Sequence, residues 1–184
     1  MPQAAQRTNA TEGLSAADHS TGAAQAHSVL VEYGDYECPS CAEAEPVTLH
    51  LVEAFGDRLK FVFRHFPLVE VHPHAELAAE AAEAAAAQGK FWEMHHQLFS
   101  HAHHLKPDAL ASYAQAIGLD MRRYNADMAD RIYLQRVQEH RRAGEHLGLR
   151  SSPTFILNGK VVDVSFGLEH LEHAVRASLG EKAA

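Results

Sequence analysis

Residues 28–36, Ser28-Val-Leu-Val-Glu-Tyr-Gly-Asp-Tyr36, are mostly apolar and barely alternate, the pattern of a strand covered on both faces. Leu59-Lys-Phe-Val-Phe-Arg-His-Phe66 has the same character and stops at Pro67. Between them Val47, Leu51, Val52 and Phe55 recur at helical spacing, which predicts a helix from Pro39 to about Phe55, ended by Gly56. Proline suits the first helical position, because the N–H it lacks has no partner there; Cys38 is then the N-cap. Pro46 should kink this helix by deleting the bond to the Ala42 carbonyl. Strand, helix and strand in this order imply a right-handed parallel crossover.

The period then stays helical for a long stretch. Residues 73–88 are rich in Ala and Glu and end at Gly89; residues 90–102 put Phe91, Met94, His95, Leu98 and Phe99 on one face. Residues 107–117 are closed by Gly118. The stretch 120–147 is too long for one helix and should break near Asn125–Asp130. Strand character returns in Thr154-Phe-Ile-Leu157 and Lys160-Val-Val-Asp-Val164, which flank Asn158-Gly159, the strongest short hairpin signal. A last amphipathic helix carries Leu168, Leu171, Val175 and Leu179. Residues 1–27 are small and polar and read as a disordered tail.

Composition narrows the function classes. A chain of 184 residues suits one domain. The net charge of −8, from 16 basic and 24 acidic residues, disfavours nonspecific nucleic-acid or anionic-membrane binding, which needs a basic surface. No apolar run approaches the roughly 18 residues of a membrane span. The first residues lack the basic and apolar regions of a secretory leader. The expected location is therefore cytoplasmic, or periplasmic if a leader has been removed.

Cys38 and Cys41 are the only two cysteines, set as Cys38-Pro39-Ser40-Cys41 where the first strand gives way to the first helix. A Cys-x-x-Cys at such a turn reads as a redox pair. No further cysteine exists to complete a four-thiolate zinc site. At the N-cap, the Cys38 sulfur would be the exposed one, facing the unpaired N–H groups of the first turn, and the helix dipole favours its thiolate. Cys41, three positions into the helix, would be more covered. Glu37 opposes the thiolate: a carboxylate about 6 Å away costs about 0.7 kcal/mol in water-like dielectric, against about 0.3–1 kcal/mol from the helix end. With no basic residue adjacent in sequence, the expected pKa lies below that of a free thiol without being extreme.

Three segments together resemble the DsbA-like family of thiol–disulfide oxidoreductases over roughly residues 28–180: Asp35-Tyr-Glu-Cys-Pro-Ser-Cys41, Phe63-Arg-His-Phe-Pro67, and Ser152-Pro153-Thr154-Phe155 followed by Asn158-Gly159. The resemblance implies an α/β thioredoxin fold, a central mixed sheet with an α-helical insertion. The core would be 28–72 and 148–182, and the insertion 73–147. It implies that Cys38 is the nucleophile and Cys41 the resolving thiol. Glu32, six residues before Cys38, would relay the resolving thiol's proton. Pro153 would follow a cis bond and, with Ser152, Pro39 and Ser40, meet the substrate chain. The dipeptide Pro39-Ser40 differs from the Pro-His typical of strongly oxidising periplasmic members.

The expected activity is exchange of disulfides with protein or small-thiol substrates. No organic cofactor is called for; glutathione or a dithiol protein would reset the pair. Two alternatives stay open: a redox-sensing or binding domain whose dithiol reports redox state, and a glutathione-dependent transferase or isomerase on the same fold. Among 15 histidines, His95, His96, His101, His103 and His104 cluster in sequence, and His72 and His74 flank Pro73. None forms a His-x-x-x-His frame with a companion carboxylate, so no metal site is assigned. Arg64 and His65 end a core strand, either beside the dithiol or capping the sheet.

Overall fold

Both apolar runs are strands in the computed structural model, which describes residues 13–181. In chain order the elements are β1 (His19–Gly22), β2 (Ser28–Gly34), α1 (Pro39–Phe55), β3 (Leu59–His65), α2 (Ala75–Ala86), α3 (Phe91–Ser100), α4 (Pro107–Ala116), α5 (Met121–Ala129), α6 (Leu134–His146), β4 (Thr154–Leu157), β5 (Lys160–Val162) and α7 (Glu169–Ser178). The strands form one sheet in the order β1-β3-β2-β4-β5. Every residue of β2 is buried, and all of β3 except Lys60, which explains their unbroken apolar pattern. β4 and β5 pair antiparallel with Leu157 opposite Lys160. Asn158 and Gly159 between them both have positive φ, as a type I′ turn requires. Asn158 also grips β2: its Oδ1 accepts from the Val29 N–H at 2.8 Å, and its own N–H donates to the Val29 carbonyl at 2.9 Å.

The tail assignment needs correction. Residues 1–12 lie outside the described residues, but His19–Gly22 form β1, antiparallel to β3 with His19 opposite Phe63. A polar segment can serve as an edge strand, because pairing uses backbone groups and only one face is covered; β1 alternates half-buried and exposed. Gly22 ends it at positive φ, where a Cβ would run into the Leu59 carbonyl oxygen. The break in the 120–147 stretch falls slightly later than expected, between α5 and α6, with Arg131 at φ 50.

The division of the chain also differs from the expected core and insertion. One unit gathers Met1–Glu32, Val47–Phe63 and Phe155–Ala184; the other gathers Tyr33–Pro46 and Arg64–Thr154. In the first, α7 buries Leu171 and Val175, and Arg58 and Arg176 lie over the Phe55 ring at 5.8 and 5.0 Å. In the second, α2 is buried along most of its length by alanines that let neighbouring helices approach. Its two buried acids are paired, Glu80 with Arg131 and Glu83 with His65. The cysteine segment joins this helical unit because its aromatic residues pack there. The Tyr36 ring lies 4.8 Å from Phe99 and 5.5 Å from His95. Arg64 and His65 are part of the same packing: Arg64 donates to the Tyr33 hydroxyl at 2.9 Å, and the His65 ring stacks on His140 at 5.4 Å.

Gly144, buried in α6, shows how tight this packing is: a Cβ there would sit 2.7 Å from Phe66 Cε2 and 3.1 Å from Tyr33 Cδ1. Gly144→Ala gains helix propensity of about 1 kcal/mol but overpacks two rings, which costs about 1–3 kcal/mol. The net expectation is a less stable protein with a lower urea midpoint. A midpoint at or above the wild-type value would mean that the rings step aside freely.

Candidate active site

The turn between β2 and α1 brings the dithiol to the helix start. The Cys38 N–H donates to the Asp35 carbonyl at 3.1 Å, and the Cys38 carbonyl accepts from the N–H groups of Cys41 and Ala42 at 3.1 and 3.2 Å. Pro39 is the first helical residue, so Cys38 stands at the N-terminus as the sequence predicts. Both cysteines are free thiols. Cys41 is fully buried, and its sulfur accepts from the Asp35 N–H at 3.4 Å. Cys38 is the more accessible of the two, yet it is only 7 % exposed, so the expectation of an openly exposed sulfur is too strong.

The Cys38 thiol is lowered to about 5. Hydrogen bonding from the Cys41 thiol is the largest cause; burial opposes it, and the Cys41 N–H, Ser152 and the Ser40 N–H add to the lowering. The Cys41 thiol and the Ser40 and Cys41 N–H groups belong to the first turn of α1 and act as an anion site, to which Ser152 adds from the loop before β4. The shift is larger than the sequence balance of Glu37 against the helix end allowed, because that balance left out the neighbouring thiol. The Ser152–Pro153 bond is cis, and the Cys38 thiol donates to the Ser152 carbonyl at 3.4 Å. Cys38, Pro39, Ser40, Cys41, Ser152 and Pro153 all belong to the helical unit, whereas Glu32, 1 % exposed in β2, belongs to the other.

Two histidines that the sequence reading weighed only as metal ligands turn out to flank the dithiol segment. The Asp35 carboxylate, fully buried, accepts from the Glu37 N–H, the Leu68 N–H and His72 Nδ1, each at 2.8 Å. The Glu37 carboxylate accepts from the His74 N–H at 2.6 Å and from His74 Nδ1 at 2.8 Å. Both acids ahead of Cys38 are therefore engaged by the 68–74 loop. Burial acts to lower the His72 pKa, but the hydrogen bond and charge of Asp35, then the charges of Cys38 and Glu37, raise it overall. His72 and the Cys38 thiolate thus favour each other's charged forms. A signal for this was available: the His-Pro-His segment follows the second core strand, whose end neighbours that of the first.

The chain matches the thioredoxin family over residues 15–177. Among solved structures it is similar to oxidised BdbD from Bacillus subtilis, 21 % identical with a TM-score of 0.80, covering 89 % of this chain and 93 % of that one. It is also similar to the thiol-disulfide exchange protein alpha-DsbA2 from Wolbachia pipientis, 22 % identical with a TM-score of 0.77, covering 91 % and 89 %. Among curated proteins it is 42 % identical over 161 residues to a Na(+)/H(+) antiporter NhaA 1 of Salinispora arenicola, covering 88 % of this chain and 24 % of the relative. The chain spans about a quarter of the length of the curated relatives it matches.

His74→Ala removes both the ring donor and any cationic charge beside Glu37. The Cys38 pKa should rise, by about half a unit if Glu37 acts across about 6 Å of water-like dielectric. Ultraviolet thiolate titration of the reduced proteins reads the shift; coincident curves would show that solvent already screens Glu37. The thiol also couples folding to pH. Its folded pKa of about 5 lies below the unfolded value of about 8.5, so the reduced protein binds fewer protons folded than unfolded in between. The stabilisation is complete above the unfolded pKa and is lost as pH falls through about 5. Relative to Cys38→Ser, the reduced protein should gain stability as pH rises across that window. Denaturant melts at several pH values, giving parallel curves for the two proteins, would contradict it.

Proposed function

The chain belongs to the thioredoxin family, and from that premise we propose that it is a thiol–disulfide oxidoreductase that carries out exchange at Cys38. The lowered Cys38 thiol at the start of α1 is the observation that carries the reading. In the oxidised form a substrate thiolate attacks the Cys38 sulfur, the Cys38–Cys41 bond breaks, and Cys41 leaves with the electron pair. A second substrate thiolate then attacks the substrate sulfur of the mixed disulfide and releases Cys38 as thiolate. The substrate gains a disulfide and the protein is reduced by two electrons. A thiol with a pKa of about 5 is a good leaving group, and its stabilised thiolate favours the reduced protein. That points toward oxidation of substrate dithiols.

The Ser152 backbone, whose carbonyl meets the Cys38 thiol at 3.4 Å, is proposed to dock an extended substrate chain by main-chain pairing, and the exposed Pro39 and Ser40 to meet the same chain. Glu32 is proposed as the proton relay for Cys41, a buried carboxyl in the strand that leads to the dithiol. Protein dithiols are the proposed substrates, with no organic cofactor. An external disulfide, glutathione disulfide or the disulfide form of a partner protein, returns the pair to its oxidised state by exchange and is itself reduced by two electrons. No described helix is long and apolar enough to cross a membrane. An oxidant persists only where cytosolic thiol systems do not reduce it, so the low pKa favours a location outside the reducing cytosol over the cytoplasmic one.

A second reading, a redox-sensing domain, is favoured by one observation: the curated relatives carry this region as about a quarter of proteins named as antiporters. Turnover separates the two. In a glutathione buffer the Cys38–Cys41 couple should equilibrate at a potential less negative than thioredoxin's, about −270 mV, and the oxidised protein should introduce disulfides into reduced, unfolded ribonuclease over many cycles. Cys38→Ser should abolish this, and Cys41→Ser should accumulate mixed disulfide. Glu32→Gln should slow, at neutral pH, the steps in which Cys41 takes up or gives up its proton, which are its departure in the first attack and its return attack when the pair is re-oxidised. A single stoichiometric turnover would favour the sensor, and unchanged Glu32→Gln kinetics across pH 6–9, the span bracketing a raised carboxyl and a thiol, would remove the relay.

A further inference from the structure

A second constellation lies on α1 beyond the dithiol. Glu45 follows Cys41 by one helical turn, and its carboxylate is 9 % exposed. Glu45 Oε2 is 3.1 Å from His95 Nε2, and Oε1 is 2.6 Å from His96 Nδ1. These ligand atoms all lie within 4.8 Å of one another. The companion carboxylate that the histidine-rich segment lacks locally is thus supplied by a residue 50 positions earlier. We propose that Glu45, His95 and His96 form a binding site for a zinc-class divalent ion.

The chemistry of the donors fits. Two imidazole nitrogens and one carboxylate are a common zinc ligand set, and a fourth position is left for water. Ligands about 2.0–2.2 Å from a tetrahedral ion stand about 3.3 Å apart; the His95–Glu45 separation is close to that at 3.1 Å, the His96–Glu45 one is shorter at 2.6 Å, and the set lies within 4.8 Å. An ion would take the place of the two hydrogen bonds, with the His96 ring moving off the carboxylate to admit it. His95 is built as a ligand should be. Its ring is fully buried, with the rings of Trp92 at 5.1 Å and Phe99 at 4.9 Å, and its Nδ1 lies 3.0 Å from the Tyr36 hydroxyl. With Nε2 on a metal, Nδ1–H donates to that hydroxyl, the outer partner that fixes the tautomer and ring plane of a ligating histidine. His96, with 43 % of its side chain exposed, gives an ion a route in from solvent. The alternative is a metal-free hydrogen-bonded network in which neutral His95 donates from Nε2 to Glu45 and accepts from Tyr36.

Zinc titration of the full-length chain separates them, and it is done on Cys38→Ser/Cys41→Ser so that the dithiol contributes no thiolate ligand. The result is then independent of the redox reading. Calorimetry and chelator competition should give one zinc per chain with submicromolar affinity, and cobalt(II) should give visible bands of a four-coordinate nitrogen–oxygen site. His96→Ala, at the half-exposed position, should weaken zinc at least about tenfold and remove the cobalt bands without unfolding the protein. Glu45→Gln should do the same wherever circular dichroism shows it folded. Replacing His101, His103 and His104 by alanine should leave affinity unchanged. Binding no tighter than micromolar overturns the proposal. So does affinity that survives His96→Ala but falls in the triple variant, which would assign the zinc to surface histidines.

Discussion

The carboxylate of Asp35 is buried three residues ahead of Cys38 and held by donors from Glu37, Leu68 and His72. A buried carboxylate stripped of such partners costs several kcal/mol. The 35–38 turn therefore cannot shift inside the fold without leaving that carboxylate short of the donors that offset its burial. That constraint fixes where the helix begins. The Asp35 carbonyl takes the Cys38 N–H and the Asp35 N–H meets the Cys41 sulfur, so one residue ties down both ends of the dithiol. The anion site at the first turn of α1 is useful only because the nucleophilic sulfur is held against it.

The electrostatics follow from the same clamp. Two acids within three residues of a thiolate would ordinarily raise its pKa. Here each is hydrogen-bonded to a histidine 37 residues later, His72 for Asp35 and His74 for Glu37. The remaining balance is set by hydrogen bonding from Cys41 and the backbone, and burial opposes it without overcoming it. The chain carries a net charge of −8, so the thiolate is stabilised by local geometry and not by the overall field. Hydrogen bonds of this kind are little affected by salt, unlike a distant charge excess.

Much of this was legible in the sequence because it is local. Pro39 at the first helical position, Asn158-Gly159 at the hairpin and the apolar runs of β2 and β3 are each dictated by backbone chemistry over a few residues. The cysteines carry their own spacing. What escaped depends on contacts distant in sequence. β1 has no apolar signature, since an edge strand needs only its backbone. His74 meets Glu37 across 37 residues, and Glu45 meets His96 across 51. Nothing within a helical window marks such pairs. The unit boundary was missed for a related reason: Tyr33 and Tyr36 look like strand residues, and only the packed rings of Phe66 and Phe99 show which side they belong to.

The division of labour along α1 bears on which parts of the chemistry can vary separately. The helix is continuous through Pro46, yet the residues before and after that proline sort into different units. Everything that lowers the Cys38 thiol, and both histidine–carboxylate clamps, lies on the dithiol side, within residues 33–46 and 64–154. So does the Glu45 cluster. Activation of the nucleophile is therefore complete within one unit. Glu32, in β2, is the one residue in the proposed reaction that the other unit supplies. Because the Cys41 thiol is the largest of the groups that lower Cys38, the acidity of the nucleophile depends on the resolving thiol keeping its proton.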